Sequence, residues 1–92
     1  MPTYLTCFDI SDDRYRRKAG NILEEYGLRV QRSVFEISVE SVQELEALRE
    51  RLQRWLEPGD DLRFYHLCAA CRAASQDADG RRVAEFPLLV LV

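Results

Sequence analysis

Tyr4-Leu5-Thr6-Cys7-Phe8-Asp9-Ile10-Ser11-Asp12-Asp13-Arg14-Tyr15-Arg16-Arg17-Lys18 is the stretch that decides the fold. Leu5, Cys7 and Asp9 alternate with Tyr4, Thr6 and Phe8, and β-favouring residue types dominate, so it opens as a strand. Ser11-Asp12-Asp13 then offers side-chain oxygens to the free N–H groups of a starting helix. Asp9 therefore sits at the exit of a hydrophobic strand. Of the five residues after Asp13, four are cationic. A carboxylate suited to a hard metal ion beside cations suited to phosphates fits phosphodiester chemistry. The plainer alternative is a strand end, an N-cap and a solvated helix face.

Downstream, Tyr15, Ala19, Ile22, Leu23 and Tyr26 recur at helical spacing, which predicts a helix from about Asp13 to Tyr26. Gly27 stands where a left-handed C-cap would end it, and Gly20 inside it suggests close packing on a sheet. Leu28 to Val39 reads as strand. Val30 and Val34 share one parity while Phe35, Ile37 and Val39 have the other, so two strands with a tight connection or a bulge are expected near Gln31-Arg32-Ser33. Ser41-Val42-Gln43-Glu44 is a capping box. It opens a helix with Leu45, Leu48, Leu52, Trp55 and Leu56 on one stripe, ended by Pro58-Gly59. Leu62, Phe64 and His66 alternate with Arg63, Tyr65 and Leu67 in a further strand. The order βαββαβ with right-handed crossovers gives an α+β, ferredoxin-like sandwich with an antiparallel sheet.

The chain of 92 residues is read as one domain, with a core over about 3–67 and a C-terminal extension over 68–92. A chain of this size buries roughly 65% of its unfolded surface, enough for a small core. Asp77-Ala78-Asp79-Gly80 is a loop. Leu88-Leu89-Val90-Leu91-Val92 is apolar on both faces and is expected to add a strand at a dimer interface, against the partner's sheet edge. No apolar run has the length of a membrane span, and Met1-Pro2-Thr3 leads straight into a strand, so the expected compartment is the cytoplasm. Three cysteines fit no disulfide framework.

The net charge of −3 is unevenly spread. From Arg14 to Arg32 six cations face two acids, whereas from Glu36 to Asp61 eight acids face three cations. One basic and one acidic flank follow, and a surface field depends on local charge. His66-Leu67-Cys68-Ala69-Ala70-Cys71 holds a CxxC beside a histidine. Zinc needs four ligands and no second CxxC exists, so these are expected to be small buried thiols. Phe35, Phe64 and Tyr65 lack the glycine-aromatic pattern of an RNA-recognition sheet and are expected in the core. No Gly-rich phosphate loop is present.

Phe8-Asp9-Ile10-Ser11-Asp12-Asp13-Arg14, the cationic helix start, and Tyr26-Gly27-Leu28-Arg29-Val30-Gln31-Arg32-Ser33-Val34-Phe35-Glu36 together resemble one family over about Tyr4 to Leu67. It is the small CRISPR-associated endonuclease family of the spacer-acquisition (adaptation) module. The resemblance implies a ferredoxin-like homodimer that binds nucleic acid and scaffolds the adaptation integrase, with duplex DNA as shared ligand. It also implies a Mg²⁺-dependent phosphodiesterase activity on RNA or DNA, which members of the family do not all share. Asp9 would be the catalytic, metal-ligating acid, sharing one Mg²⁺ with its dimer mate. Arg14, Arg16, Arg17, Lys18, Arg29 and Arg32 would contact nucleic acid, supported by Phe8, Ser11 and Phe35. Phe8 stands where the family usually has tyrosine. The rival reading is a small regulatory dimer of the same fold that binds a metabolite or metal and no nucleic acid.

Overall fold

The computed structural model describes residues 1–84. The expected terminal strand over 88–92 lies outside them. The elements run β1 (Thr3–Asp9), α1 (Asp13–Glu24), β2 (Gly27–Gln31), β3 (Val34–Ser38), α2 (Val42–Gln53), β4 (Asp61–Leu67) and a short α3 (Ala69–Ala74). The four strands form one sheet in the order β2-β3-β1-β4, with every neighbour antiparallel. This is the expected ferredoxin-like topology, with β1 and β3 central.

The alternation in β1 sorts its side chains. Thr6 and Phe8 turn towards α1 and α2, where they join Phe35, Ile37, Ala19, Ile22, Leu23, Leu48 and Leu52 in or beside one buried core. Phe8 stacks on Phe35 with ring centroids 6.2 Å apart. The α2 stripe behaves as its spacing requires: Leu48 and Leu52 are fully buried, while Leu45, Trp55 and Leu56 pack at the margin. The two helices are joined by Arg51, whose guanidinium meets the Glu25 carboxylate at 3.0 and 3.2 Å. Tyr15 and Trp55 add an edge-on contact at 5.5 Å.

Both helix starts use the residues that the sequence offers. Asp12 is the N-cap of α1, and its carboxylate accepts from the Tyr15 N–H at 3.0 Å. Ser41 Oγ accepts from the Glu44 N–H at 3.1 Å. The Glu44 carboxylate reaches back one residue further than a standard capping box, to the Glu40 N–H. Between β2 and β3 the phase slip has both anticipated causes: a tight turn at Arg32-Ser33 and a register shift between Arg29 and Gln31.

Gly27 corrects the expected C-cap. Helix α1 ends at Glu24, and Gly27 is already the first residue of β2, paired with Ile37. Its backbone is not left-handed; positive φ belongs to Gly59, Gly80 and Ala84 among the described residues. What requires glycine is proximity, since a Cβ there would overlap the Glu36 carbonyl. At Gly20 a Cβ would lie 2.7 Å from Arg29 Nη2, so the missing side chain makes room for a guanidinium.

On the opposite face of the sheet, the extension folds back as a cover. Arg72 of α3 donates to the Ala84 carbonyl at 3.3 Å, and Gln76 bridges to Arg82. Asp77 to Gly80 forms the anticipated turn, with Asp77 Oδ1 accepting from the Asp79 and Arg81 N–H groups. Val30, Gln31 and Glu36 line a cleft against Gln76, Asp77, Val83 and Ala84. Glu36 is thereby 9% exposed although it points away from the helices. Burial raises its pKa above the usual carboxylate value of 4.5, and Arg72 only partly opposes the shift.

Candidate nucleic-acid and metal site

Four segments meet at one end of the sheet: the exit of β1, the start of β4, the β2–β3 turn and the first turn of α1. Phe8 N–H donates to the Ser33 carbonyl at 3.1 Å, which ties the turn to β1. Arg16 Nη1 donates to the Ile10 carbonyl at 2.6 Å, which ties α1 to the same strand. Asp60 accepts from the Ser11 N–H and Oγ at 3.2 Å each and from the Glu57 N–H at 2.8 Å. These bonds, that from Glu57 first, hold its pKa below the usual carboxylate value. Ser11 is therefore a loop fastener.

Asp9 is exposed at the end of β1 on the face away from the helices. Directly opposite, in register, stands Asp61 of β4. Cys7, Phe8, Asp9, Asp61, Arg63 and Tyr65 line one shallow depression. Sequence spacing gave no sign of Asp61; only the β1–β4 register reveals it, and that pairing spans more than half the chain. Arg63 Nε lies 3.0 Å from Asp61 Oδ2, and Arg63 also reaches the Tyr65 hydroxyl at 3.2 Å. Tyr65 is 48% exposed, which corrects its expected place in the core. It faces this depression, while Phe35 and Phe64 pack on the helix side.

The donors at this point are carboxylate oxygens, which suit a hard divalent cation such as Mg²⁺. Two carboxylates per chain leave room for water and for a second subunit's ligands. Among the described residues no group of three or more acidic, histidine or cysteine side chains gathers at one point. The chain by itself therefore offers two carboxylates, Asp9 and Asp61, fewer oxygens than the octahedral set that Mg²⁺ takes.

The expected cations divide into three groups. Arg16, Arg17, Arg29 and Arg32 converge with Asp13 on a cleft of about 330 Å³ between α1 and the β2–β3 turn. Within it, Arg16 is paired with Asp13 and bonded to Ile10. Arg29 lies over the Phe35 ring at 4.6 Å, donates to the Arg32 carbonyl and meets Glu24 at 3.5 Å. These two side chains build the cleft, and Arg17 and Arg32 are exposed within it. Lys18 lies elsewhere, over Trp55 at 5.4 Å in a second cleft with Arg51 and Arg54. Arg14 is exposed and lines neither cleft. Phe8 and Phe35 lie beneath the site as core, Phe8 without the hydroxyl that a tyrosine would carry.

The thiols also depart from expectation. Cys68 is the N-cap of α3, and both Cys68 and Cys71 are exposed, whereas Cys7 is half-buried. Sequence pattern does not place α3, because six residues are too few for a periodic stripe.

An antiparallel sheet in the order β2-β3-β1-β4, with both long helices on one face and an acid at the exit of β1, defines a ferredoxin-like α+β protein. The family model for CRISPR associated protein Cas2 matches residues 1–74. The chain belongs to the Cas2 family. It is 48% identical over 71 residues to a Chloroflexus aurantiacus protein named CRISPR-associated endoribonuclease Cas2 1, covering 75% of each chain. It is also 48% identical over 63 residues to a CRISPR-associated endonuclease Cas2 of Thermus thermophilus, covering 67% of this chain and 69% of that one. Among solved structures, a chain of a partial Cas6-RT-Cas1–Cas2 complex superposes with a TM-score of 0.84 at 34% identity, over 94% of this chain and 100% of that chain. A Streptococcus pyogenes Cas2 gives 0.73 at 27% identity, over 82% and 96%. These matches do not favour the rival regulatory reading. No helix among the described residues is long and apolar enough to cross a membrane.

Proposed function

We propose that the protein is the nucleic-acid-binding, homodimeric subunit of a CRISPR adaptation complex, holding duplex DNA for a partner integrase. The observation that carries this reading is the convergence of Arg16, Arg17, Arg29 and Arg32 on one cleft. Guanidiniums recognise phosphate oxygens in pairs, and pre-positioning Arg16 and Arg29 lowers the ordering cost of the contact. A solved relative in a complex with Cas1 supports the integrase as partner. Leu28, Val30 and Tyr65, exposed on the face away from α1 and α2, support a two-fold interface there.

The names of the relatives support a second activity, phosphodiester cleavage of RNA or DNA. Mg²⁺, when bound, would screen the scissile phosphate and lower the pKa of a bound water. In this chain Asp9 would hold the ion together with the partner's copy of the same residue. Asp61 would orient it from the facing strand. Arg63, whose Nε donates to Asp61 Oδ2 at 3.0 Å, would hold that carboxylate in place.

The test is a duplex-DNA binding titration over a salt series. Replacing Arg17 and Arg32 together with Ala should weaken binding to all sequences alike and lower the slope of log K against log salt by about two. An unchanged slope would place the DNA elsewhere.

A further inference from the structure

Cys68 and Cys71 take no part in either site described above, yet their arrangement is specific. Their sulfurs lie 3.3 Å apart, and the Cys71 N–H donates to Cys68 Sγ at 3.4 Å. Both are exposed, and no other cysteine among the described residues is exposed with them. They sit where β4 passes into α3, the root of the segment that folds back over the sheet. Ser75 Oγ bonds the Cys71 carbonyl at 2.7 Å and Arg72 holds the Ala84 carbonyl, so the first turn of α3 is anchored on its far side.

We propose that Cys68 and Cys71 form a reversible dithiol–disulfide site that reacts with low-molecular-weight disulfides of the glutathione class. The geometry distinguishes the two sulfurs. Hydrogen bonds from the Cys71 amide and then the Cys71 thiol favour the Cys68 thiolate and lower its pKa, while the same thiol contact raises that of Cys71. Cys68 is thus the attacking sulfur. Its thiolate bonds to one sulfur of the small disulfide, and the other sulfur leaves as a thiolate. Cys71 then gives its proton to that leaving thiolate and attacks Cys68 Sγ, and the second small thiolate departs and is protonated from water. Two protein thiols have lost two electrons and two protons, and one small disulfide has become two small thiols. The new bond would fasten the end of β4 to the first turn of α3.

The experiment incubates the full chain with oxidised glutathione, alkylates the remaining thiols and weighs the product. The expected result is loss of two of the three alkylatable thiols, no retained glutathione, and full recovery with excess reduced glutathione. Cys71→Ser should trap glutathione on Cys68, and Cys7→Ser should leave the reaction unchanged. Three thiols still alkylated, a glutathione adduct persisting on the unsubstituted chain, or an adduct on Cys7 in place of Cys68 would overturn the proposal.

Discussion

On one face of the sheet, Thr6, Phe8, Phe35 and Ile37 are closed over by α1 and α2; on the other, Asp9, Asp61, Arg63 and Tyr65 stand in solvent while Glu36 is covered by the returning extension. The first face is held by apolar area, and nearly every side chain on it has a packing role. The second is held by pairing between strands that the first face keeps in place, so its polar residues can change without loss of the fold. Substitutions on the two faces should separate stability from function.

The largest effect belongs to the covered face. Phe35 is fully buried beneath Arg29 and against Phe8. Phe35→Ala should lower the unfolding free energy by about 3–5 kcal/mol, read from urea midpoints. A loss below about 1 kcal/mol would show that the two faces are not so different. On the open face, Asp9→Ala should leave stability within about 0.5 kcal/mol, as for other exposed sites, while any Mg²⁺-dependent cleavage disappears. Cleavage surviving in purified Asp9→Ala would remove that carboxylate from the chemistry.

Arg29 straddles the division, since it lines the cation cleft and caps a core ring. Arg29→Ala should cost about 1 kcal/mol of stability as well as DNA affinity, through the lost cation–π contact. Arg17→Ala should reduce affinity alone. Equal melting temperatures for the two variants would deny Arg29 its packing role.

The smallest effect concerns Glu36. Its raised pKa means that the folded state binds the proton more tightly than the unfolded state. Below pH 4.5 both forms are protonated and burial carries no charge penalty. As pH rises above 4.5 the unfolded chain ionises first, so stability falls until Glu36 ionises too. Glu36→Gln should therefore melt higher than the parent at neutral pH, with the difference vanishing in acid. A constant difference at all pH values would point to packing instead of charge.

The covered face was legible because its signals are local. The α2 stripe, the Asp12 and Ser41 caps and the parity slip before Val34 each lie within a dozen residues, and the structure reproduces them. Asp61 was not legible, because a carboxylate at the start of a strand looks the same whatever faces it. Only the β1–β4 register joins it to Asp9. Gly27 misled for a related reason: glycine after a helix signals a cap, and the close approach of the Glu36 backbone is invisible in one dimension. The cation run read as a single patch, but helical spacing sends Lys18 to Trp55 and leaves Arg14 outside both clefts.

Trp55 is the chain's one tryptophan, set between the helices with Tyr15 at 5.5 Å and the Lys18 ammonium at 5.4 Å. The molecule thus carries a built-in optical probe whose emission depends on the seam between α1 and α2. Tyrosine-to-tryptophan energy transfer should collapse when that seam opens, reporting unfolding without a label. The indole lies in the Lys18 cleft, apart from the arginines of the β2–β3 turn. DNA seated only among those arginines should leave the emission nearly unchanged, and a shift on binding would reveal a backbone path that continues along α1.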